Sequence, residues 1–204
     1  MKSGATKASG EAVQTESVRD RILNTARELF YREGARAVGV DRVVAESGVA
    51  KTSLYRWFPS KDALIAAVIE QEALDRWKGW DRNLGRAPDS PLDQLRFQFT
   101  GLARYISDPR FRGCPFMNVT VEFPDPEHPA RKVATQMSVE LRKRLKGLIE
   151  QMDDIRDSEE LTDQLLMLID GALSSVQCLG KEPLQKYLLH AADALIAAQS
   201  TRKN

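Results

Sequence analysis

Apolar positions along this chain recur at intervals of three and four, and runs that alternate apolar with polar residues are absent. The pattern predicts an all-α fold of about nine helices. The first covers residues 17–33, with Ile22, Ala26, Leu29 and Phe30 on adjoining turns and Gly34 as its stop. A short helix follows over 41–47, with Val43 and Val44 inward, and Gly48 permits a sharp turn. The next spans 51–58, where Pro59 bars continuation. Ser60 is a suitable N-cap for a longer helix over 61–82, with Asp62 in its first turn.

GRAPDSP at 85–91 is the clearest breakpoint. Beyond it, 92–107 reads as a helix with Leu95, Phe99, Leu102 and Ile106 inward. DPRFRGCP at 108–115 is a second break, followed by a short apolar segment at 116–123. PDPEHP at 124–129 must be a loop, because its prolines cannot sit in a helix interior. A long helix rich in Arg and Lys covers 130–151, and MDDIRDSEE is a polar connection. The helix over 158–179 is apolar around most of its circumference, and Pro183 opens a last helix with a broad apolar stripe. TRKN reads as a frayed tail, and no internal repeat is visible.

GVAKTSLYRWFPSKDAL, residues 48–64, concentrates the candidate chemistry. Two short helices joined at a glycine behind a supporting helix make a helix-turn-helix, whose second helix enters the DNA major groove. Leu54 and Phe58 are four apart and can anchor that helix. Lys51 and Tyr55, and Thr52 and Arg56, are also four apart and line the outward face. Lys and Arg supply charge, Thr and Tyr supply hydroxyls, and Arg can grip guanine in bidentate fashion. Trp57 sits at the edge, and Lys61 adds an ammonium at the start of the following helix. Ser53, and Asp41 and Arg42 at the start of the preceding helix, complete the expected DNA-contact set. A buried hairpin with a merely solvated basic face fits the same spacing.

Three stretches carry a family resemblance: RILNTARELFYREG (21–34), VVAESGV (43–49) and K-x-S-L-Y-x-W-F-P-S-K-x-A-L (51–64). Together they resemble the DNA-binding domain of the tetracycline-repressor (TetR) family. The resemblance implies a three-helix DNA-binding head over 17–62 and a ligand-binding, dimerising body over 63–204, after a polar, disordered tail at 1–16. Two departures stand out. Val38 and Gly39 replace the family's usual Ser or Thr before the second helix, and Ala50 replaces a frequent Ser before the recognition helix. Both remove a hydroxyl cap and a phosphate contact, so non-specific DNA affinity should be weaker.

The last two helices carry more apolar surface than a monomer needs. The resemblance implies that they form a four-helix interface in a homodimer. The candidate interface residues are Leu165, Ile169, Leu173, Val176, Leu184, Tyr187, Leu188, Ala191 and Leu195. A two-fold dimer sets its recognition helices about one DNA turn, or a small multiple, apart and reads a near-palindromic operator.

RGCPFMNVTVEF at 112–123 resembles a GC-P/L-F-x-N motif of one branch of the family, at the start of its sixth helix. By the resemblance, a ligand chamber lies between the helices at 92–107, 114–122, 130–151 and 158–179. Candidate lining residues are Phe97, Leu102, Tyr105, Phe116, Met117, Val121, Met137, Leu141, Met167 and Gln177. Aromatic and Met walls suit a small hydrophobic or aromatic effector. The 108–116 stretch and the 61–82 helix join chamber to head and are the expected coupling elements.

Composition changes this picture little. Hydrophobic residues make up 42% of the 204, enough for a real core. No run reaches the length of a membrane span, and 1–16 lacks the apolar stretch of a signal peptide, which favours the cytoplasm. The net charge is +1, but residues 1–62 carry 11 Lys/Arg against 8 Asp/Glu, and 51–61 holds three cations and no acid. No catalytic constellation, cofactor motif or metal spacing stands out; His128 and His190 are isolated. Acids at 153, 154, 157, 159 and 160 read as a solvated connection. Cys114 lies near a helix start and Arg112, both favouring thiolate, while Cys178 reads as core. The leading expectation is a ligand-responsive repressor. A DNA-binding dimer without effector, a redox-sensing regulator acting through Cys114, and a helical carrier that binds no DNA are the alternatives.

Overall fold

The computed structural model describes residues 16–180 and 182–201, with the side chains of 182–186 set aside. The expected tail, all but its last residue, and the assignment of Leu184 therefore lie outside the described residues. Nine α-helices are present among those described: α1 (Val18–Glu33), α2 (Val40–Ser47), α3 (Lys51–Trp57), α4 (Lys61–Leu84), α5 (Pro91–Ser107), α6 (Pro115–Glu122), α7 (Pro129–Ile149), α8 (Ser158–Leu179) and α9 (Glu182–Gln199). The helix ends follow from local chemistry. Ser17, Ser60, Ser90 and Asp157 each accept a hydrogen bond from a backbone N–H three residues on, capping α1, α4, α5 and α8. Proline opens α5, α6 and α7, where its missing N–H costs nothing.

α1, α2 and α3 pack as a compact head whose core is Ile22, Ala26, Leu29, Val43, Leu54 and Phe58, continued by Leu64 and Ile65 of α4. α4 then runs into the body and packs on α7, while α5 packs on α9 and α8 on α9. Leu95, Phe99, Ile106, Leu145, Ile149, Leu161 and Leu165 fill the centre of the body.

Three expectations need correction. Leu165, Ile169, Leu173, Val176 and Leu188, assigned above to a partner surface, are all buried within the protomer. Their face of α8 meets α7 and α9, so the stripe is intramolecular core. What remains exposed is the opposite side of α8, with Met167, Gly171, Ser174, Cys178 and Leu179, and of α9, with Tyr187, Ala194 and Ala198. Ala191 and Leu195 are half-buried. Second, Cys178 is exposed rather than core, and both cysteines are free thiols. Third, Thr201, the first residue of the expected frayed tail, is tied down, while 202–204 lie outside the described residues. The Thr201 N–H bonds the Asp154 carbonyl at 2.7 Å, and the Arg156 N–H bonds the Gln199 carbonyl at 2.9 Å. Several acids of the 153–160 connection are engaged. Asp157 caps α8, and Glu159 pairs with Arg142 and Lys146 at 2.6 and 2.5 Å.

Candidate nucleic-acid interface and ligand chamber

The turn between α2 and α3 depends on Gly48, at φ 64° and ψ 27°, a left-handed conformation that a side chain would strain. Val49, Leu54 and Phe58 are buried and fix the pose of α3. Lys51, Thr52, Tyr55, Arg56 and Trp57 are exposed together and Ser53 is half-buried, so one surface carries the expected recognition set. Gly39 and Ala50 cap α2 and α3 without a side-chain bond, the consequence of the two departures noted above.

Charge is distributed less simply than the sequence implies. Lys51 pairs with Asp41 at 2.6 Å, and Arg42 is held by Glu46 and Glu33. Lys61 is half-buried and donates to the Arg36 carbonyl at 3.0 Å; burial pulls its ammonium below the ordinary lysine range. It serves as a strut between α4 and the α1–α2 connection, with two donors to spare. Arg56 has no ion pair among the described residues.

The body encloses a chamber of about 700 Å³ between α4, α5, α6, α7 and α8. Leu102, Tyr105, Phe116, Met117, Val121, Met137 and Leu141 line it. Phe97, Met167 and Gln177 do not. Phe97 lies under the Arg104 guanidinium at 5.8 Å. Met167 is 66% exposed, because α8 turns Ile169 and Leu173 inward instead. Gln177 is one turn beyond Leu173 and is exposed. The chamber also has an α4 wall outside the expected set, with Trp77, Trp80, Glu72, Asp75 and Arg76, and takes in Asp170 of α8. Trp77 and Trp80, three apart on an amphipathic helix, were the available signal. Burial pushes the Tyr105 hydroxyl and the Asp170 carboxyl upward, each toward its neutral form.

The glycine–cysteine motif has a mechanical reason. Gly113 stands at φ 98°, and a Cβ there would sit 3.1 Å from Asn118 Oδ1. Asn118 folds back over the turn and donates to the Arg112 carbonyl at 3.3 Å. Cys114 then caps α6; it is buried, and burial pushes its thiol up, against thiolate chemistry. The same turn is clasped to the head. The Tyr31 hydroxyl donates to the Gly113 carbonyl at 3.1 Å and accepts from the Arg112 N–H at 2.8 Å. At the other end of α6, Glu122 accepts from the Arg36 N–H at 2.7 Å. Thus α6 contacts the head at both ends while Phe116, Met117, Thr120 and Val121 face the chamber. Two further ties link the regions. Arg27 of α1 donates to Glu72 and Asp75 of α4 at 2.5 and 2.8 Å. His128 stacks on Phe123 at 4.2 Å, with Nε2 3.4 Å from Asp62.

Residues 22–68 match the family model for bacterial regulatory proteins of the tetR family, and residues 91–192 match the tetracyclin repressor-like C-terminal domain. The chain belongs to the TetR family. It is a transcriptional regulator with a DNA-binding helix-turn-helix, a function of binding rather than catalysis. A TetR-family transcriptional regulator from Streptomyces coelicolor superposes with a TM-score of 0.84 at 32% identity, covering 90% of this chain and 96% of that one. An HTH-type transcriptional regulator of Lactococcus lactis is 23% identical over 66% of this chain and 69% of its own. RutR of Escherichia coli, an HTH-type transcriptional regulator, is 36% identical over 50% of this chain, a stretch that covers 43% of RutR. Among the described residues no helix is long and apolar enough to cross a membrane, and no cluster of His, Cys, Asp or Glu could hold a metal ion.

Proposed function

We propose that this TetR-family protein is a ligand-responsive repressor that acts in the cytoplasm. In this reading residues 17–62 bind DNA and 63–204 bind effector and dimerise. The dimer holds a near-palindromic operator through Lys51, Thr52, Tyr55 and Arg56, with Trp57 and Lys61 toward the phosphates. A small, largely apolar effector enters the chamber and shifts α6, and the head moves with it. The observation that carries the reading is the double attachment of α6. Its middle lines the chamber, and its ends hold the head through Tyr31 and Arg36. A ligand that displaces α6 cannot leave the head in place without breaking those bonds. By linkage, operator DNA weakens effector binding by the same factor that effector weakens operator binding, commonly about 5- to 150-fold.

The exposed sides of α8 and α9 support dimerisation through a revised set of residues. Met167, Gly171, Ser174 and Cys178 follow 4-3-4 spacing, as do Tyr187, Ala191, Ala194 and Ala198. Small residues on two adjoining helices let a second copy approach closely, and the larger Met167, Leu179 and Tyr187 gain a cover. Selection of bound sequences from random duplex DNA at near-physiological salt is the primary test. A two-fold consensus supports the reading and supplies the probe for effector screening. A folded, dimeric protein that enriches no sequence overturns it, as does a saturating chamber ligand that leaves operator affinity unchanged.

A further inference from the structure

The charges around the chamber do not balance. Arg27 bridges Glu72 and Asp75 in the α1–α4 contact, and Lys78 reaches Asp75 at 3.7 Å, so these two acids are matched by two cations. Four other lining arginines, Arg76, Arg82, Arg86 and Arg104, have no carboxylate within 4 Å among the described residues. Arg82, in the last turn of α4, Arg86, two residues beyond that helix, and Arg104, on α5, are exposed along the rim where the two helices border the chamber. That rim is tight: a Cβ on Gly101 would overlap the Asn83 amide, which bonds Gln98 across the seam at 3.3 Å. Arg76 lies inside, over the Tyr105 ring at 4.4 Å. Among the described residues the lining acid without a cation is Asp170, on α8, which stays exposed overall while partial desolvation works against its charge. Beyond the rim the walls are aromatic and aliphatic, from Trp77, Trp80, Phe116 and Leu141. A cavity that is apolar within and edged by unpaired guanidinium groups favours a molecule with the complementary division.

Building on the ligand-responsive reading, we propose that the effector is an amphipathic organic anion. Its acidic head, a carboxylate or a group of like charge, sits among Arg82, Arg86 and Arg104, and its apolar body fills the space against Trp77 and Phe116. The rim then selects by charge and the interior by shape. An anion is drawn to the rim from solution, whereas a neutral compound of the same body gains only the apolar contact.

A matched pair of fluorescent probes tests this with the full chain: 1-anilinonaphthalene-8-sulfonate and its uncharged parent, N-phenyl-1-naphthylamine. Binding is read from probe emission and from energy transfer out of the tryptophans. The anion should bind about tenfold tighter at low salt, the gain expected of a few exposed charge contacts, and should lose that margin as salt screens the rim. Arg82→Gln, Arg86→Gln and Arg104→Gln combined should bring the anion down to the neutral probe's affinity and leave the neutral probe unchanged. These side chains are exposed, so the fold is not at stake; Arg110→Gln, paired with Asp108 outside the chamber, is the control. Met137→Trp, which fills the cavity, should abolish both signals. Equal affinity for the two probes, or an anion indifferent to the rim substitutions or to Met137→Trp, overturns the proposal. If neither probe binds the folded protein, the ligand-chamber reading itself fails with it; a neutral probe that binds alone refutes only the charge assignment.

Discussion

The head and the body solve opposite packing problems. Three helices, none longer than the 16 residues of α1, close around Leu54 and Phe58 without space to lose. The body sets helices of up to 24 residues around a hollow. The first must hold a rigid shape to read DNA, and the second, in the proposed function, accepts a guest. Truncating a side chain should expose the contrast most strongly. Leu54→Ala leaves a cavity in a closed core and should cost about 2–5 kcal/mol, with loss of DNA binding. Leu141→Ala only widens an existing chamber and should cost about 1 kcal/mol or less. Urea denaturation of the two variants measures both. Equal costs would mean that the body is as tightly specified as the head.

The next contrast lies between faces of the head itself. Arg56 is exposed and has no ion pair among the described residues, whereas Lys51 and Arg42 already have acidic neighbours. Arg56→Ala should therefore weaken the selected operator by about 1–3 kcal/mol and relax preference at one or two base pairs. Asp41→Asn should do the reverse on a smaller scale, releasing Lys51 toward phosphate and tightening all DNA sequences alike. Binding across a set of singly altered operators separates the two. Uniform loss from Arg56→Ala would reassign it to the backbone.

The head was legible in the sequence because its signals are local: a glycine at the turn, a proline after the helix, and pairs four residues apart. The structure keeps the α3 face together and changes chiefly Lys61, whose bond to Arg36 crosses 25 positions. The body was legible as helices, but not as surfaces. A broad apolar stripe cannot say which of its sides meets the protomer and which a partner. Leu165 and Leu173 therefore read as interface although they are core, and the small residues at 171, 174 and 194 carried no signal. The chamber behaves similarly. Motif and resemblance led to Phe116 and Met117, whereas Trp77, Arg76 and Asp170 belong to it only because α4 and α8 face each other across a cavity.

Coupling should respond more mildly than either region alone. Glu122→Ala removes the acceptor for the Arg36 N–H and lies outside the chamber lining; it also takes a negative charge from near Lys61, so operator affinity is compared with and without effector in the same variant. Effector affinity should stay within about twofold, while the effect of effector on operator affinity falls by about 0.5–2 kcal/mol. Titrating operator with and without effector gives the difference directly. Unchanged coupling would move the connection to the Tyr31 clasp or to Arg27.

The smallest effect should come from Asp170. Partial desolvation raises its folded carboxyl above the usual range although the residue remains exposed, so the folded protein binds that proton somewhat more tightly than the unfolded chain. Between the unfolded and folded values the native state holds more protons, and stability falls as pH rises through that window. The penalty is complete above the folded value and absent below the unfolded one, near 3.9. Asp170→Asn removes the charge and keeps the shape. It should raise Tm at neutral pH by about a degree or two and leave it unchanged in acid. The group is reachable from the chamber, so solvent and any bound molecule moderate the effect. A bound anion should therefore enlarge it, because a second negative charge in the same cavity raises the cost of the first. Thermal melts at several pH values, with and without the sulfonate probe, would show the difference between wild type and variant growing with pH and with probe. A difference that is the same with and without the probe would place the anion far from Asp170, at the outer edge of the arginine rim.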